Sequence, residues 1–350
     1  MMGKHEVHAA AAAQQVAPVA GPPRGRILGL VLGLTAAVAL MLLALVLPAA
    51  HSGPDQLPIA VSGPQAAQRE FVGTLAAAHP GAFDVISKAD AAQVATAIRD
   101  RSVVGGISLT QSGATVQTAS AAGAPYVTLL HTVGTAMTDQ GLKVTYVDVA
   151  PYPSAGPAGS GLTALGLPLV FGGMASAVSL STLLKRRWWL RVTASIAFAV
   201  LAGLAATAIL QFWIGTLEGN YWEAALTMIL GIAAISLTVL GLESLFGYPG
   251  LLVGALLMLF VSNPLSGIAT GSQWLPHPWG TIGQWLPIGA TGNAMRGVGF
   301  FGGALAGGSL LVLLGWAVFG VALTTIAHLR HRRAREAAAS LSTDRQLLPA

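Results

Sequence analysis

Long apolar stretches alternate with polar segments along this chain of 350 residues. An α-helix needs about 20 apolar residues to cross a hydrocarbon core of about 30 Å. Six stretches meet that requirement: residues 27–47, 164–184, 192–214, 222–242, 250–270 and 303–327. Glu223, near the start of the fourth stretch, is the one charged residue within them. The pattern therefore predicts an α-helical integral membrane protein with six transmembrane helices.

Residues 51–160, between the first two stretches, have the patterning of a globular domain. Short strand-like runs over 58–61, 83–86, 103–109, 114–118 and 143–149 alternate with helical runs over 66–78 and 126–137. Asp90 followed by Gln93 is typical of a capping box that opens a further helix. Gln111-Ser112-Gly113 separates two of the runs as a hairpin turn does. We expect a small α/β extracytoplasmic domain inserted between helices 1 and 2, with a Pro- and Gly-rich linker after it.

Composition agrees with a membrane protein and excludes an ordinary soluble one. Charged residues make up 9% of the chain, against about 25% in a typical soluble domain. Hydrophobic residues reach 54%, and the chain holds 43 glycines. Membrane helices tolerate glycine, and small residues let them approach closely. Cysteine is absent, which excludes disulfides and thiolate chemistry.

The distribution of basic residues predicts the orientation, because Lys and Arg near short loops stay in the cytoplasm. Twelve of the 18 basic residues fall in residues 1–26, in the loop 185–191 and in the tail 328–350. The remaining six are Arg296 and five in the segment 51–160. We therefore expect a multi-pass protein of a bacterial cell membrane with both termini cytoplasmic. Residues 51–160 and 271–299 then face outward.

This assignment divides the chain into a disordered cytoplasmic tail (1–26), transmembrane helix 1 (27–47), the extracytoplasmic domain (51–160), a five-helix transmembrane domain (164–327) and a basic cytoplasmic tail (328–350). A signal peptide is the alternative for the first stretch, because small residues follow Leu47. A run of 21 apolar residues exceeds the usual 7–15 of a signal sequence, so a retained anchor is the better interpretation.

Glycines favour close helix packing over nucleotide binding. Gly297-Val-Gly299-Phe-Phe-Gly302 matches G-x-G-x-x-G, but it follows no strand and leads into the sixth stretch. Gly299, Gly303 and Gly307 lie four residues apart, which predicts a face where two helices approach closely. Two single pairs, Gly29 with Gly33 and Gly250 with Gly254, have the same spacing. Glycines are so frequent here that chance explains these two pairs as well.

Several polar and proline residues near the predicted outward ends of the helices are candidate outward-gate residues. They are Glu218, Glu223, Asn263, Pro264, Pro287 and Arg296. Interfacial charges that reach water explain the three charged ones more simply. Nothing in the spacing of His and Asp in the segment 51–160 pairs a nucleophile with a base or gathers metal ligands. We therefore expect no enzyme activity, no metal and no cofactor.

The loop after the second stretch combines a cationic cluster with two tryptophans: Lys185, Arg186, Arg187, Trp188 and Trp189. Positive charge and interfacial tryptophan anchor a helix end without any partner. The same groups are a candidate dock for a partner protein. The chain contains no P-loop, so any ATP must be hydrolysed by another subunit. The tail motif His328-Leu-Arg-His331-Arg-Arg suits anionic lipid better than a metal or nucleic acid.

One region resembles a known family. It runs from Ser262-Asn-Pro-Leu-Ser-Gly267 through Trp274-Leu-Pro276, Gly283-Gln-Trp-Leu-Pro287 and Asn293-Ala-Met-Arg296 to Phe300-Phe-Gly302, with a weaker match at Leu167-Pro168-Leu-Val-Phe-Gly-Gly173. These segments, and the plan of one span, an outward domain and five spans, resemble the ABC-2-type permease group, especially its YhgE/Pip-like members.

The resemblance implies a permease component of an exporter that is energised by a separate ATPase subunit. It also implies a homo- or heterodimer, because the family builds its path between two six-helix halves. The loop 185–191 matches the position of the family's coupling segment. Residues 1–26 lack the amphipathic helix with which many of these permeases begin. A membrane-anchored accessory or binding protein, secretory or phage-receptor-like and without ATP coupling, therefore stays open.

Overall fold

The structure is a computed structural model that describes residues 24–156, 159–184 and 187–346. It divides into two compact units, residues 1–43 and residues 44–350. The described part of the first unit belongs to helix α1, which covers Arg24–Ala50 and contains the apolar stretch Val31–Leu43. Residues 24–26, expected in a disordered tail, are therefore helical. The rest of that predicted tail, residues 1–23, lies outside the described residues.

Within the second unit, the domain elements are β1 (Leu57–Ser62), α2 (Gln65–Ala78), β2 (Phe83–Lys88), α3 (Ala91–Arg99), β3 (Gly105–Thr110), β4 (Gly113–Thr118), α4 (Ala124–Asp139) and β5 (Lys143–Asp148). The remaining helices are α5 (Ser160–Thr163), α6 (Gly166–Leu183), α7 (Trp188–Ala208), α8 (Tyr221–Phe246), α9 (Tyr248–Leu256), α10 (Trp279–Gln284), α11 (Pro287–Phe300) and α12 (Ala306–Gln346). The small α/β domain is confirmed, and each of its predicted strands and helices is present.

The domain is a five-stranded sheet in the order β2-β1-β3-β4-β5, parallel except for the β3–β4 hairpin. Helices α2 and α4 cover one face, where Ile59, Ile107 and Leu130 are fully buried. Helix α3 covers the other face through Val94 and Ile98. The predicted capping box is formed: Asp90 accepts a hydrogen bond from the backbone N–H of Gln93 at 2.8 Å.

Four helices in the described residues are long and apolar enough to cross a membrane by length and composition. They are Ser160–Leu183, Trp188–Trp213, Tyr221–Phe246 and Ala306–Ser340, in each case the counterpart of a predicted span. The chain is thus mostly helical with a small sheet. Helix α8 lies at the centre of this bundle, and a run of ten residues from Gly231 to Leu240 is buried on all sides.

Small residues allow the neighbouring helices to approach α8. A Cβ atom at Gly203 of α7 would lie 2.8 Å from the backbone nitrogen of Ile229, and one at Gly320 of α12 would overlap the backbone of Leu237. Interhelical hydrogen bonds supplement these contacts: the Ser195 hydroxyl donates to the Ser236 hydroxyl at 3.0 Å. Close backbone approach therefore fixes the bundle around α8.

The fifth predicted span is wrong beyond Ser262. Helix α9 continues as a π-helix over Leu257–Ser262, and the 3₁₀ turn Pro264–Ser266 follows. The continuous helix Tyr248–Ser262 is about 22 Å long at 1.5 Å per residue, less than the hydrocarbon core. Ser262 and Pro264 interrupt it, because proline cannot continue the backbone hydrogen bonds of the preceding turn.

Residues 271–299, expected to face outward between the last two predicted spans, do not form an exposed loop in their second half. That half is α11, in which Pro287 and eleven other residues are buried. The Ser262 hydroxyl accepts a hydrogen bond from the backbone N–H of Ile288 at 3.1 Å, which places the start of α11 beside the end of the α9 π-helix. Two short helices therefore meet inside the bundle.

The predicted packing face Gly299–Gly303–Gly307 is not formed. Gly299 is in α11, against Leu217, whereas Gly303 lies in the turn before α12 with φ +88°. No described atom lies within 4 Å of a Cβ built on Gly303 or Gly307. Of the two single pairs, Gly250 and Gly254 pack closely: a Cβ at Gly250 would overlap the backbone of Leu242, and one at Gly254 would lie 3.2 Å from Val239. No described atom lies within 4 Å of a Cβ built on Gly29 or Gly33.

The tail from residue 328 continues the sixth span without a break. Helix α12 has 41 residues and a length of about 60 Å, roughly twice a hydrocarbon core. The expected tail is thus helical through Gln346, and residues 347–350 lie outside the described residues.

We predict that Gly320→Ala lowers the free energy of unfolding by about 1–3 kcal/mol, because the new methyl group forces α12 away from α8. Gly315→Ala, on the same helix with no described atom within 4 Å of its Cβ position, is the matched control and should be neutral or slightly stabilising. Thermal unfolding in detergent measures both variants. Equal unfolding temperatures would contradict the close α8–α12 contact.

Candidate functional site

The segments predicted to be cytoplasmic meet at one end of the bundle. The start of α7, the end of α8 and the second half of α12 surround a cavity of about 680 Å³. We call it the basic-end cavity, because Arg191, His328, His331, Arg332 and Arg335 line it together with two glutamates. Of the candidate docking residues, Arg187, Trp188 and Trp189 are described, whereas Lys185 and Arg186 lie outside the described residues.

An ion pair joins α7 to α8 inside this cavity. One Nη atom of Arg191 lies 2.6 Å from the Glu243 carboxylate, and the other donates to the Ser244 hydroxyl at 3.1 Å. The Arg191 side chain is 11% exposed and that of Glu243 is 22% exposed. Salt screens such a partly buried pair much less than an exposed pair. The pair therefore links the start of α7 to the end of α8.

The two tryptophans of the candidate docking segment have different surroundings. Trp188 stacks on His328 of α12, with 5.2 Å between the ring centroids. Trp189 is 52% exposed. Trp188 thus packs against the third wall of the cavity, whereas the Trp189 side chain is exposed.

The candidate outward-gate residues do not form one cluster. Glu218 and Glu223 are exposed, as expected for interfacial charges. Asn263 and Pro264 are half-buried at the break after α9, and Pro287 is buried at the start of α11. Arg296 does not reach water as expected: the residue is 4% exposed.

Arg296 joins the α/β domain to the helices. Its Nε donates to the backbone carbonyl of Ala121, which follows β4, and its Nη2 donates to the carbonyl of Ile268, both at 2.9 Å. It also hydrogen-bonds the Tyr152 hydroxyl. We call this contact region the domain joint. Arg296, a candidate outward-gate residue, is therefore a structural link between the domain and the bundle.

Arg101 makes the reciprocal contact from the domain side. Its Nη1 donates to the carbonyls of Asn293 and Ala304, both at 3.2 Å, and its Nη2 donates to the Asn293 side chain. The guanidinium also lies over the Phe301 ring, 5.5 Å from the centroid. Arg101 has φ +59°, a left-handed conformation that costs free energy in a non-glycine residue. These contacts offset that cost.

The domain joint carries positive charge at neutral pH. Burial lowers the pKa of Arg101 to about 10, with a further decrease from the positive charge of Arg296, so its guanidinium stays protonated. Burial raises the pKa of Tyr126 to about 12, so that hydroxyl stays neutral. Burial likewise raises the pKa of Tyr152. Neither tyrosine supplies a negative charge.

Arg101, Tyr126, Tyr152 and Asn293 were not predicted as site residues. Their partners lie far away in sequence, 192 positions in the case of Arg101 and Asn293. In the sequence, Arg101 entered only the count of basic residues that predicts the topology, and that count does not indicate a contact with α11. Elsewhere, the described ranges contain no group of three or more His, Asp or Glu residues placed to hold a metal ion.

No family model, curated protein or solved structure matches the chain. The resemblance to ABC-2-type permeases therefore stays a prediction from the sequence motifs.

We predict that Glu243→Gln destabilises the protein by about 1–2 kcal/mol, because it leaves the largely buried Arg191 without its counter-charge. The Nε of Arg191 already has no hydrogen-bond partner among the described residues. Glu336→Gln removes the exposed Arg332–Glu336 pair, with side chains 66% and 59% exposed, and should leave the stability nearly unchanged. Chemical denaturation in detergent compares them. A larger loss for Glu336→Gln would show that the Arg191–Glu243 pair is not the important one.

Proposed function

We propose that this protein is the membrane component of an ABC-2-type exporter and that a separate ATPase subunit docks at the basic-end cavity. The observation that supports the proposal is the convergence of the α7 start, the α8 end and the α12 extension around that cavity. Any movement of a docked partner acts at once on three long helices. The exposed Trp189 is suited to become a buried aromatic anchor in such an interface.

The contacts of α8 connect the proposed dock to the outward domain. Helix α8 packs against α11 at Gly231 and Thr291, and α11 carries Arg296 of the domain joint. A displacement at the Arg191–Glu243 pair thus has a continuous path of packed residues to the α/β domain. Buried apolar side chains fill the space between the helices of one chain. We propose that substrate passes between two copies, with α1 and the shorter α9 completing six membrane segments in each.

The outward domain supports a second candidate function, that of a membrane-anchored binding protein without ATP coupling. A groove of about 320 Å³ runs between α2 and α4, with Phe71, Leu75, Val133 and Met137 among its lining. Its apolar floor and polar rim have the character of a ligand pocket. This alternative is favoured if no ATPase associates with the protein.

We predict that Trp189→Ala abolishes co-purification of the ATPase subunit while leaving insertion unchanged, because the substitution keeps every positive charge that sets the topology. Trp213→Ala is the matched control: this tryptophan is 86% exposed and follows the opposite end of α7. Affinity purification from membranes, with mass spectrometry of bound proteins and an ATPase assay, tests both variants. Normal ATPase binding by Trp189→Ala, or no ATPase bound to the parent, would refute the docking proposal.

The orientation of the chain in the membrane can be tested with single introduced cysteines, because the chain has no cysteine of its own. We predict that a membrane-impermeant maleimide labels Ser112→Cys at the hairpin tip in intact cells, and labels Ser340→Cys on α12 only after permeabilisation. Both serines are exposed. The positive-inside distribution gives this expectation. The opposite labelling pattern would place the basic-end cavity outside and exclude an ATPase there.

A further inference from the structure

The domain joint contains an electrostatic imbalance. Arg296 is close enough for its positive charge to disfavour that of Arg101, and Arg296 is buried while Arg101 is half-buried. The ion pairs formed within the described residues are Arg191–Glu243 and Arg332–Glu336, neither of which involves the joint. Burying a charge without a counter-charge costs several kcal/mol, so buried charges in proteins are normally paired. The carbonyl dipoles at the joint offset only part of that cost.

The two guanidiniums line one cavity. It has a volume of about 130 Å³ and lies between the α/β domain and the segment that precedes α11. Ser272, Gln273 and Asn293 also line it and contribute hydroxyl and amide groups. No carboxylate is among its lining residues in the described chain. A polar cavity of this size holds several waters or one small anion with part of its hydration.

The hydrogen bonds of the two side chains leave donors for an anion. A guanidinium has five N–H donors. Arg101 uses three on carbonyl oxygens, and Arg296 uses two on carbonyl oxygens and one on the Tyr152 hydroxyl. Two donors therefore remain on each side chain. A halide accepts hydrogen bonds from any direction, so it suits donors that come from two separate guanidiniums.

We infer that the domain joint is a halide site, in which one chloride lies between Arg101 and Arg296 and completes the contact between the α/β domain and the bundle. The bound anion neutralises the repulsion between the two guanidiniums. It therefore strengthens the attachment of the outward domain, whichever partner binds at the basic end.

Binding of radioactive chloride to the full chain in detergent, measured by equilibrium dialysis in gluconate buffer of constant ionic strength, tests the inference. We expect saturable binding that bromide displaces and sulfate does not. Arg101→Gln should weaken binding by on the order of tenfold or more, the loss of one charge-assisted hydrogen bond. Arg99→Gln, which removes an exposed arginine two residues earlier, is the control with the same change in net charge and should bind like the parent.

Thermal unfolding provides a second readout. In the parent and in Arg99→Gln, the unfolding temperature should rise with chloride and reach a plateau, since a ligand that binds only the folded state stabilises it. Arg101→Gln should lose that rise. An absence of saturable binding to the parent would overturn the site, even if Arg101→Gln failed to fold. Equal chloride dependence in Arg101→Gln and the parent would show a general salt effect only.

Discussion

Close backbone packing against α8 is the constraint on which the rest of the bundle depends. Lipid offers no hydrophobic force between helices, so association relies on van der Waals contact and interhelical hydrogen bonds. Glycines at Gly203, Gly231 and Gly320 remove the side chains that would separate the backbones at this helix. The short α9 and α11 are held in place because α8 supplies a wall that both can pack against. Without α8, neither the basic-end cavity nor the domain joint would have its geometry.

The α/β domain is attached to the helices by polar contacts and by an apolar cluster in which Phe301 packs with Ile98 and Val103. Arg101 and Arg296 reach in opposite directions, one from the domain to α11 and one from α11 to the domain. Arg101 also bonds the carbonyl of Ala304, in the turn before α12, and Arg296 bonds that of Ile268, in the turn before α10, which fixes both turns. Aromatic rings complete the contact, with Tyr152 edge-on to Phe300 at 5.3 Å. The α/β domain and the bundle are thus held as one body.

The local elements could be predicted from the sequence because their causes are local. Alternation of apolar residues, the Asp90–Gln93 capping box and the hairpin turn each act over a few residues, and all are present. Helix α11 could not be predicted from hydropathy, because its glycines, Asn293 and Arg296 give it the composition of a loop. Only burial among other helices makes such a segment helical. The doubled glycine motif failed for a related reason: spacing shows which residues share a helix face only where one helix continues through them, and a turn separates Gly299 from Gly307.

The region of short helices and turns between α9 and α12 also affects how the protein is inserted into the membrane. The translocon inserts a segment into the bilayer according to the hydrophobicity of that segment. Helix α11 has 14 residues and contains Arg296, so it has little tendency to insert alone. Helix α11 can acquire its buried surroundings only after α12, which follows it in the chain, is in place beside α8. We therefore expect a late step in biogenesis, in which α11 packs between helices that are already in place. Before that step, Arg296 lacks its contact with Ala121, and the α/β domain lacks that attachment to the bundle.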